Sequence, residues 1–253
     1  MGRVIAIASQ KGGVGKTTTA INLGACLAQE SRRVLLIDID PQGNASSGLG
    51  INGNDQRITT YEALIGDAEL PQAIVSTALA NLDVVSAGQR LSGAEVELVG
   101  MMARETRLKT CLANTRDDYD FVLIDSPPSL GLLTVNALTA SDSVLIPLQC
   151  EYLALEGLTQ LIGAIRLVQD HLNPELRIEG VLLTMFDARL NLSQQVADEA
   201  RKFFAERIYK TMIPRNVRLS EAPSFGKPIV LYDPHSTGAD SYRELAREVM
   251  NHA

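Results

Sequence analysis

Residues 11–18 read Lys-Gly-Gly-Val-Gly-Lys-Thr-Thr, between an apolar run at 3–8 (RVIAIA) and a segment, 17–30, in which Ala20, Leu23, Gly24 and Leu27 recur at helical spacing. A strand is expected to enter a glycine-rich loop and a helix to leave it. A polyphosphate is held by backbone N–H groups at close range, which calls for residues without a Cβ, at the positive end of a helix. Gly12, Gly13 and Gly15 supply the bare backbone, and Val14 and Thr18 complete the cradle. Lys16 places an ammonium between the β- and γ-phosphates, and the Thr17 hydroxyl is positioned as a ligand for Mg²⁺, a hard cation that prefers oxygen. A chance glycine turn would not need the Lys-Thr pair at the helix start.

Outward from the loop, apolar runs at 33–39, 82–86, 121–124, 143–148 and 178–185 read as buried strands. Helical spacing occupies 155–171, 192–207 and 242–251, and Ser92-Gly-Ala-Glu95 reads as a capping box ahead of a helix reaching about residue 113. This alternation predicts an α/β fold with a mostly parallel central sheet and helices on both faces, a P-loop NTPase. In such sheets ligands bind beyond the carboxyl ends of the strands, where the phosphate loop, Asp38, Asp40 and Asp125 all fall. With 253 residues, 45% of them hydrophobic, and no linker or repeat, the whole chain, 1–253, is expected to be one domain.

Cys26, Cys111 and Cys150 are an odd, widely spaced set that reads as core thiols rather than disulfides or a zinc site. The chain shows no membrane-length apolar run and no signal-peptide form, and is expected in the cytoplasm. His171, His235 and His252 have no ligand spacing.

Asp125 ends the run Phe-Val-Leu-Ile in the manner of a Walker B strand, so its carboxylate is expected to help hold Mg²⁺; a turn-capping Asp is the plainer alternative. Asp38 and Asp40 flank Ile39, and alternation points both to one face. A strand-end Asx turn before Pro41 would also account for such a pair. The guanine-specific pattern Asn-Lys-x-Asp is absent, which weighs against a GTPase.

Lys11, where the usual loop has no lysine, makes the sequence resemble the deviant Walker A ATPases and, within them, the ParA/Soj partition proteins. The resemblance runs through Lys11 to Thr18, Asp38-Ile-Asp-Pro-Gln-Gly-Asn44, Asp125-Ser-Pro-Pro-Ser129 and the stretch from Ile213 to Pro223. It implies an ATP-driven homodimer with nucleotide sandwiched between subunits and Lys11 reaching the partner's phosphates. It assigns water positioning to Asp40, support of the metal shell to Asp38, γ-phosphate sensing to the 126–129 segment and adenine contact to Pro214 and Asn216. It also implies nonspecific binding of double-stranded DNA through Arg189 and Arg218, nucleoid association when ATP is bound, and a ParB-like centromere-binding partner that stimulates hydrolysis. Some such proteins also control a replication initiator.

Composition alone does not reach DNA binding. The net charge is −7, but residues 176–230 hold nine Lys/Arg against six Asp/Glu while the rest holds fourteen against twenty-four. That excess alone is an ordinary solvated surface; a dimer that doubles it gives a usable phosphate-binding patch. A membrane-associated regulator resembling MinD is the alternative reading, but residues 241–250 (SYRELAREVM) balance Arg with Glu and lack bulky anchors, so no stable membrane anchor is expected. A cluster-carrying reductase of the nitrogenase iron-protein type would need converging cysteines.

Overall fold

The computed structural model describes residues 2–151 and 154–252. Its strands are β1 (Arg3–Ile7), β2 (Val34–Asp38), β3 (Ile74–Ser76), β4 (Leu82–Val85), β5 (Phe121–Asp125), β6 (Ser143–Gln149) and β7 (Arg177–Thr184). The helices are α1 (Lys16–Gln29), α2 (Asn44–Gly48), α3 (Thr60–Ile65), α4 (Leu91–Val99), α5 (Arg107–Leu112), α6 (Leu132–Ala140), α7 (Ala154–His171), α8 (Asn191–Phe204), α9 (Val217–Glu221), α10 (Ile229–Tyr232) and α11 (Thr237–Asn251). The strands form one sheet in the order β3-β4-β2-β5-β1-β6-β7, parallel except for β3 against β4.

Alternation within each strand divides the core in two. Val4 and Ala6 of β1 and Val122 and Ile124 of β5 join one apolar layer with α3 to α8, while Ile5, Ile7, Phe121 and Leu123 join the other with α1, α10 and α11. Because both faces are covered, the central strands read as continuous apolar runs. β1 lies between β5 and β6, and β5 lies against β2, so the carboxyl ends of β2, β5 and β1 stand side by side. Register makes Ile7 and Asp38 the two neighbours of Asp125.

The helix expected from Ser92 to about residue 113 is two helices. Ser92 lies inside the first turn of α4 rather than capping it, and α4 ends at Val99. The break has a tertiary cause: the Asn136 amide on α6 accepts from Leu108 N (3.1 Å) and donates to Arg104 O (2.8 Å), heading α5 from outside. A true capping box lies earlier, where the Thr59 hydroxyl accepts from Tyr61 N (3.2 Å) and the Glu62 carboxylate from Thr59 N (2.8 Å) at the start of α3. The last helix begins at Thr237, not near residue 242, with the Ser236 hydroxyl accepting from Ala239 N (3.2 Å). Its Tyr242, Leu245, Ala246 and Val249 are buried in the same layer as α1, which leaves no apolar stripe for a lipid surface. No helix among the described residues is long and apolar enough to cross a membrane.

Candidate active site

The phosphate loop joins β1 to α1. Gly13 (φ 76°) and Gly15 (φ 88°) take left-handed conformations, and a Cβ at Gly12 or Gly13 would meet nothing within 4 Å, so the loop opens onto free space. Gly15 is the N-cap of α1 and no side chain caps that end, so the first-turn N–H groups keep their partners to come. From the far side the Thr184 hydroxyl, at the end of β7, donates to Val14 O (2.8 Å) and fixes the loop.

Lys16 is buried, with Nζ 3.4 Å from Lys11 O. Burial lowers its pKa, and the charges of Asp125 and Asp40 pull it back up. The Thr17 hydroxyl donates to Asp125 Oδ2 (2.8 Å), while Asp125 Oδ1 is buried without a partner. Burial first, then the charge of Asp38, holds the Asp125 carboxyl well above the usual carboxylate range. An unpartnered oxygen beside a hydroxyl, in a corner with more carboxylates than cations, is a donor set that fits Mg²⁺.

Asp38, expected to support the metal shell, has both oxygens engaged by the protein. Oδ2 accepts from Ser46 N (2.8 Å) and Ser46 Oγ (2.7 Å), and Oδ1 accepts from Asp40 N (3.2 Å). Burial still pushes its pKa up to about 6, against those hydrogen bonds. Asp40 lies just beyond β2, and its Oδ1 accepts from Gln42 N (3.0 Å). Both carboxylates thus make a bond two residues on, the Asx pattern that was the plainer reading of the pair. The 126–129 segment starts from Ser126, whose Oγ donates to Ile7 O (2.9 Å), tying it to β1.

Lys11 points away from its own cradle: its Nζ lies 3.9 Å from Glu151, whose other oxygen is 3.4 Å from Arg215. Pro214, expected on the adenine side, bridges to Phe186 beyond β7. Asn216, however, spends its amide within the chain. Its Oδ1 caps α9 by accepting from Arg218 N (2.8 Å), and its Nδ2 donates to Thr237 Oγ1 (2.8 Å).

That same bridge, with Arg215 N donating to Phe186 O (3.4 Å), joins the segment leading to Arg189 to the one leading into α9, which carries Arg218. Each arginine is already paired. Arg189 forms a fork with Asp187 (2.9 and 2.7 Å), and Arg218 meets Glu221 (2.8 Å) and Asp233 (3.5 Å). The fork holds the Asp187 carboxyl down, to about 2. Cys26, Cys111 and Cys150 are free, and no metal-ligating cluster of His, Cys, Asp and Glu occurs among the described residues. Ser46 and Thr184, which anchor Asp38 and the loop, gave no sequence signal, because Ser46 reaches Asp38 only through the fold of α2 and Thr184 lies far along the chain from Val14.

A family model described as an AAA domain matches residues 2–178. Similar proteins include the sporulation initiation inhibitor protein Soj of Bacillus subtilis, 62% identical over 98% of both chains. The chromosome partitioning protein ParA of Myxococcus xanthus is 58% identical over 99% of this chain and 88% of its own length. Among solved structures, a cobyrinic acid a,c-diamide synthase from Mycobacterium smegmatis with bound ATP analogue and magnesium superposes with a TM-score of 0.90 at 39% identity, covering 100% of this chain and 95% of that one. The cell division ATPase MinD of Pyrococcus furiosus superposes at 0.83 with 29% identity over the full length of both.

Proposed function

Because the chain belongs to the ParA/Soj family of chromosome-partitioning ATPases, we propose that it is an ATP-driven dimerising switch that binds DNA without sequence preference. The observation that carries this is the open glycine loop at an uncapped helix start, with buried Lys16 and the Thr17–Asp125 pair beneath it. The partition reading follows the relatives at 62% and 58% identity rather than the 39% identical synthase, whose activity is that protein's own.

The triphosphate lies along the N–H groups of Gly12 to Thr18, with Lys16 between the β- and γ-phosphates. Thr17 and Asp125 hold Mg²⁺, with Asp38 behind them fixing the strand end; when bound, the cation neutralises phosphate charge that the carboxylates would otherwise repel. Asp40 uses one oxygen to fix its own turn and the other to orient a water in line with the β–γ bridge. The water oxygen bonds to the γ-phosphorus as the bridging P–O bond breaks, releasing ADP and phosphate. Pro214 and Asn216 line the adenine side, with contact through backbone because the Asn216 amide is committed. Lys11, held by Glu151 in its own subunit, passes to the partner's phosphates in the dimer. Two copies of the Arg189–Arg218 surface then face the duplex, and a ParB-like protein accelerates turnover and release. Exchanging these Asp and Glu partners for DNA phosphates costs little, because solvent screens ion pairs at the surface and leaves them little net stabilisation.

The deciding experiment is a DNA titration with ATP, with ADP and without nucleotide, at two salt concentrations. Binding confined to the ATP arm and weakened steeply by salt is expected; equal binding in all three arms overturns the switch.

A further inference from the structure

The phosphate loop is tethered from the edge strand of the sheet. Thr184, the last residue of β7, is buried, and its hydroxyl donates to the carbonyl of Val14 (2.8 Å), itself a buried residue. The tether is carried by a backbone that is fixed in turn: Thr184 is the register partner of Gln149 on β6, and its carbonyl accepts from Cys150 N (3.2 Å).

What that bond fixes is the orientation of one peptide unit. Val14 C=O and Gly15 N–H are the two ends of a single planar trans peptide and point in opposite directions. A donor that draws Val14 O toward β7 therefore turns the Gly15 N–H away from β7. Among the described residues that N–H has no hydrogen-bond partner, although it heads α1 as the N-cap residue. Gly15 also makes the unit easy to turn over, because its left-handed backbone (φ 88°, ψ 24°) and the conformation that a flipped peptide would impose are both open to glycine. Flipped, the unit would present a carbonyl oxygen where the cradle presents a donor, and an anion would be repelled there instead of held.

We propose that Thr184 is a positioning residue for nucleotide binding: its hydroxyl locks the Val14–Gly15 peptide with the N–H facing the phosphates. The proposal rests on the reading of the glycine loop as the phosphate cradle. A role of this kind acts through the backbone of the loop, so it falls alike on ATP and ADP, whose β-phosphate occupies the same cradle.

The test uses the full-length protein with Thr184→Val, which keeps the branched shape and removes the donor, and with Thr184→Ser, which keeps the donor. Calorimetric titration with Mg²⁺–ATP and Mg²⁺–ADP gives the affinities, and thermal melting without nucleotide reports on the fold. Thr184→Val should weaken both nucleotides by about tenfold or more, the scale of one hydrogen bond to a charged group, and Thr184→Ser should restore them to within about twofold. Wild-type affinity in Thr184→Val overturns the lock. So does a Thr184→Ser protein as weak as Thr184→Val, since packing rather than the hydroxyl would then decide. Should Thr184→Val fail to fold, the wild-type protein still answers: with ¹⁵N-glycine labelling, a downfield shift of the Gly15 amide proton on binding ADP supports the orientation, and an unmoved amide overturns it. A wild-type protein that binds neither nucleotide overturns the cradle itself.

Discussion

Asp38 and Asp125 are in-register partners on β2 and β5, and both side chains are fully buried at the base of the phosphate loop. Burial raises both pKa values, that of Asp38 to about 6. A carboxylate whose folded pKa exceeds its unfolded value contributes stability that is present below the unfolded pKa and is lost as pH rises through the folded one. The nucleotide-free protein therefore holds this corner at a cost near neutrality.

Asp125→Asn should raise the melting temperature of the nucleotide-free protein, by about 2–4 °C for each kcal/mol relieved. The advantage over wild type should grow as pH rises above the ordinary carboxyl range, because only the wild type carries an ionisable group whose folded pKa is raised by burial. The same variant should lose the extra stabilisation that Mg²⁺ adds to ATP. Scanning fluorimetry at several pH values, with and without Mg²⁺–ATP, measures both; a variant less stable than wild type at every pH rejects the account.

Lys16→Ala should weaken ATP binding by about 100-fold or more, because it removes the one ammonium of the subunit's own chain set beneath the phosphates while leaving Asp125 and Asp40 without their cation. Equilibrium dialysis reads this directly, and unchanged affinity would show that the backbone cradle suffices.

Asp40→Ala should bind ATP and dimerise yet fail to release phosphate, because the cradle is untouched while the water loses its orienting oxygen. Its Oδ1 also braces Gln42 N, so a modest loss of stability should accompany the change. Light scattering and a phosphate-release assay separate the two; wild-type turnover would remove Asp40 from the chemistry.

Arg189→Ala and Arg218→Ala should each spare dimerisation and basal hydrolysis and weaken DNA binding alone. Losing one phosphate contact per subunit removes two from the dimer and should flatten the slope of log K against log salt by about 1.8. Anisotropy on two unrelated duplexes gives the slope, and sequence-dependent losses would contradict a backbone-reading surface.

Much of this was legible in the chain because the central strands are buried on both faces and read as uninterrupted apolar runs, and because the loop residues sit consecutively between β1 and α1. The strand β3 was not legible: three residues, none of them fully buried, carry too little pattern. The break between α4 and α5 could not be read either, since Asn136, which imposes it, arrives from α6. At the site, Asp125 could be read from its strand, but that Asp38 is saturated by Ser46 depends on how α2 folds back. The partners of the two arginines were within reach, as Asp187 and Glu221 lie two and three residues away and such spacings pair on turns and helices.

The hydroxyl of Thr184 has a mechanical meaning. It ends β7 and grips Val14 of the phosphate loop, and the next residue, Met185, sits at φ 50° at the head of the loop that leads to Arg189. A non-glycine residue in that conformation stores strain that its surroundings must hold. The edge strand therefore behaves as a tie rod: a pull on the phosphate loop arrives first at a strained joint, and the segment beyond that joint carries Arg189.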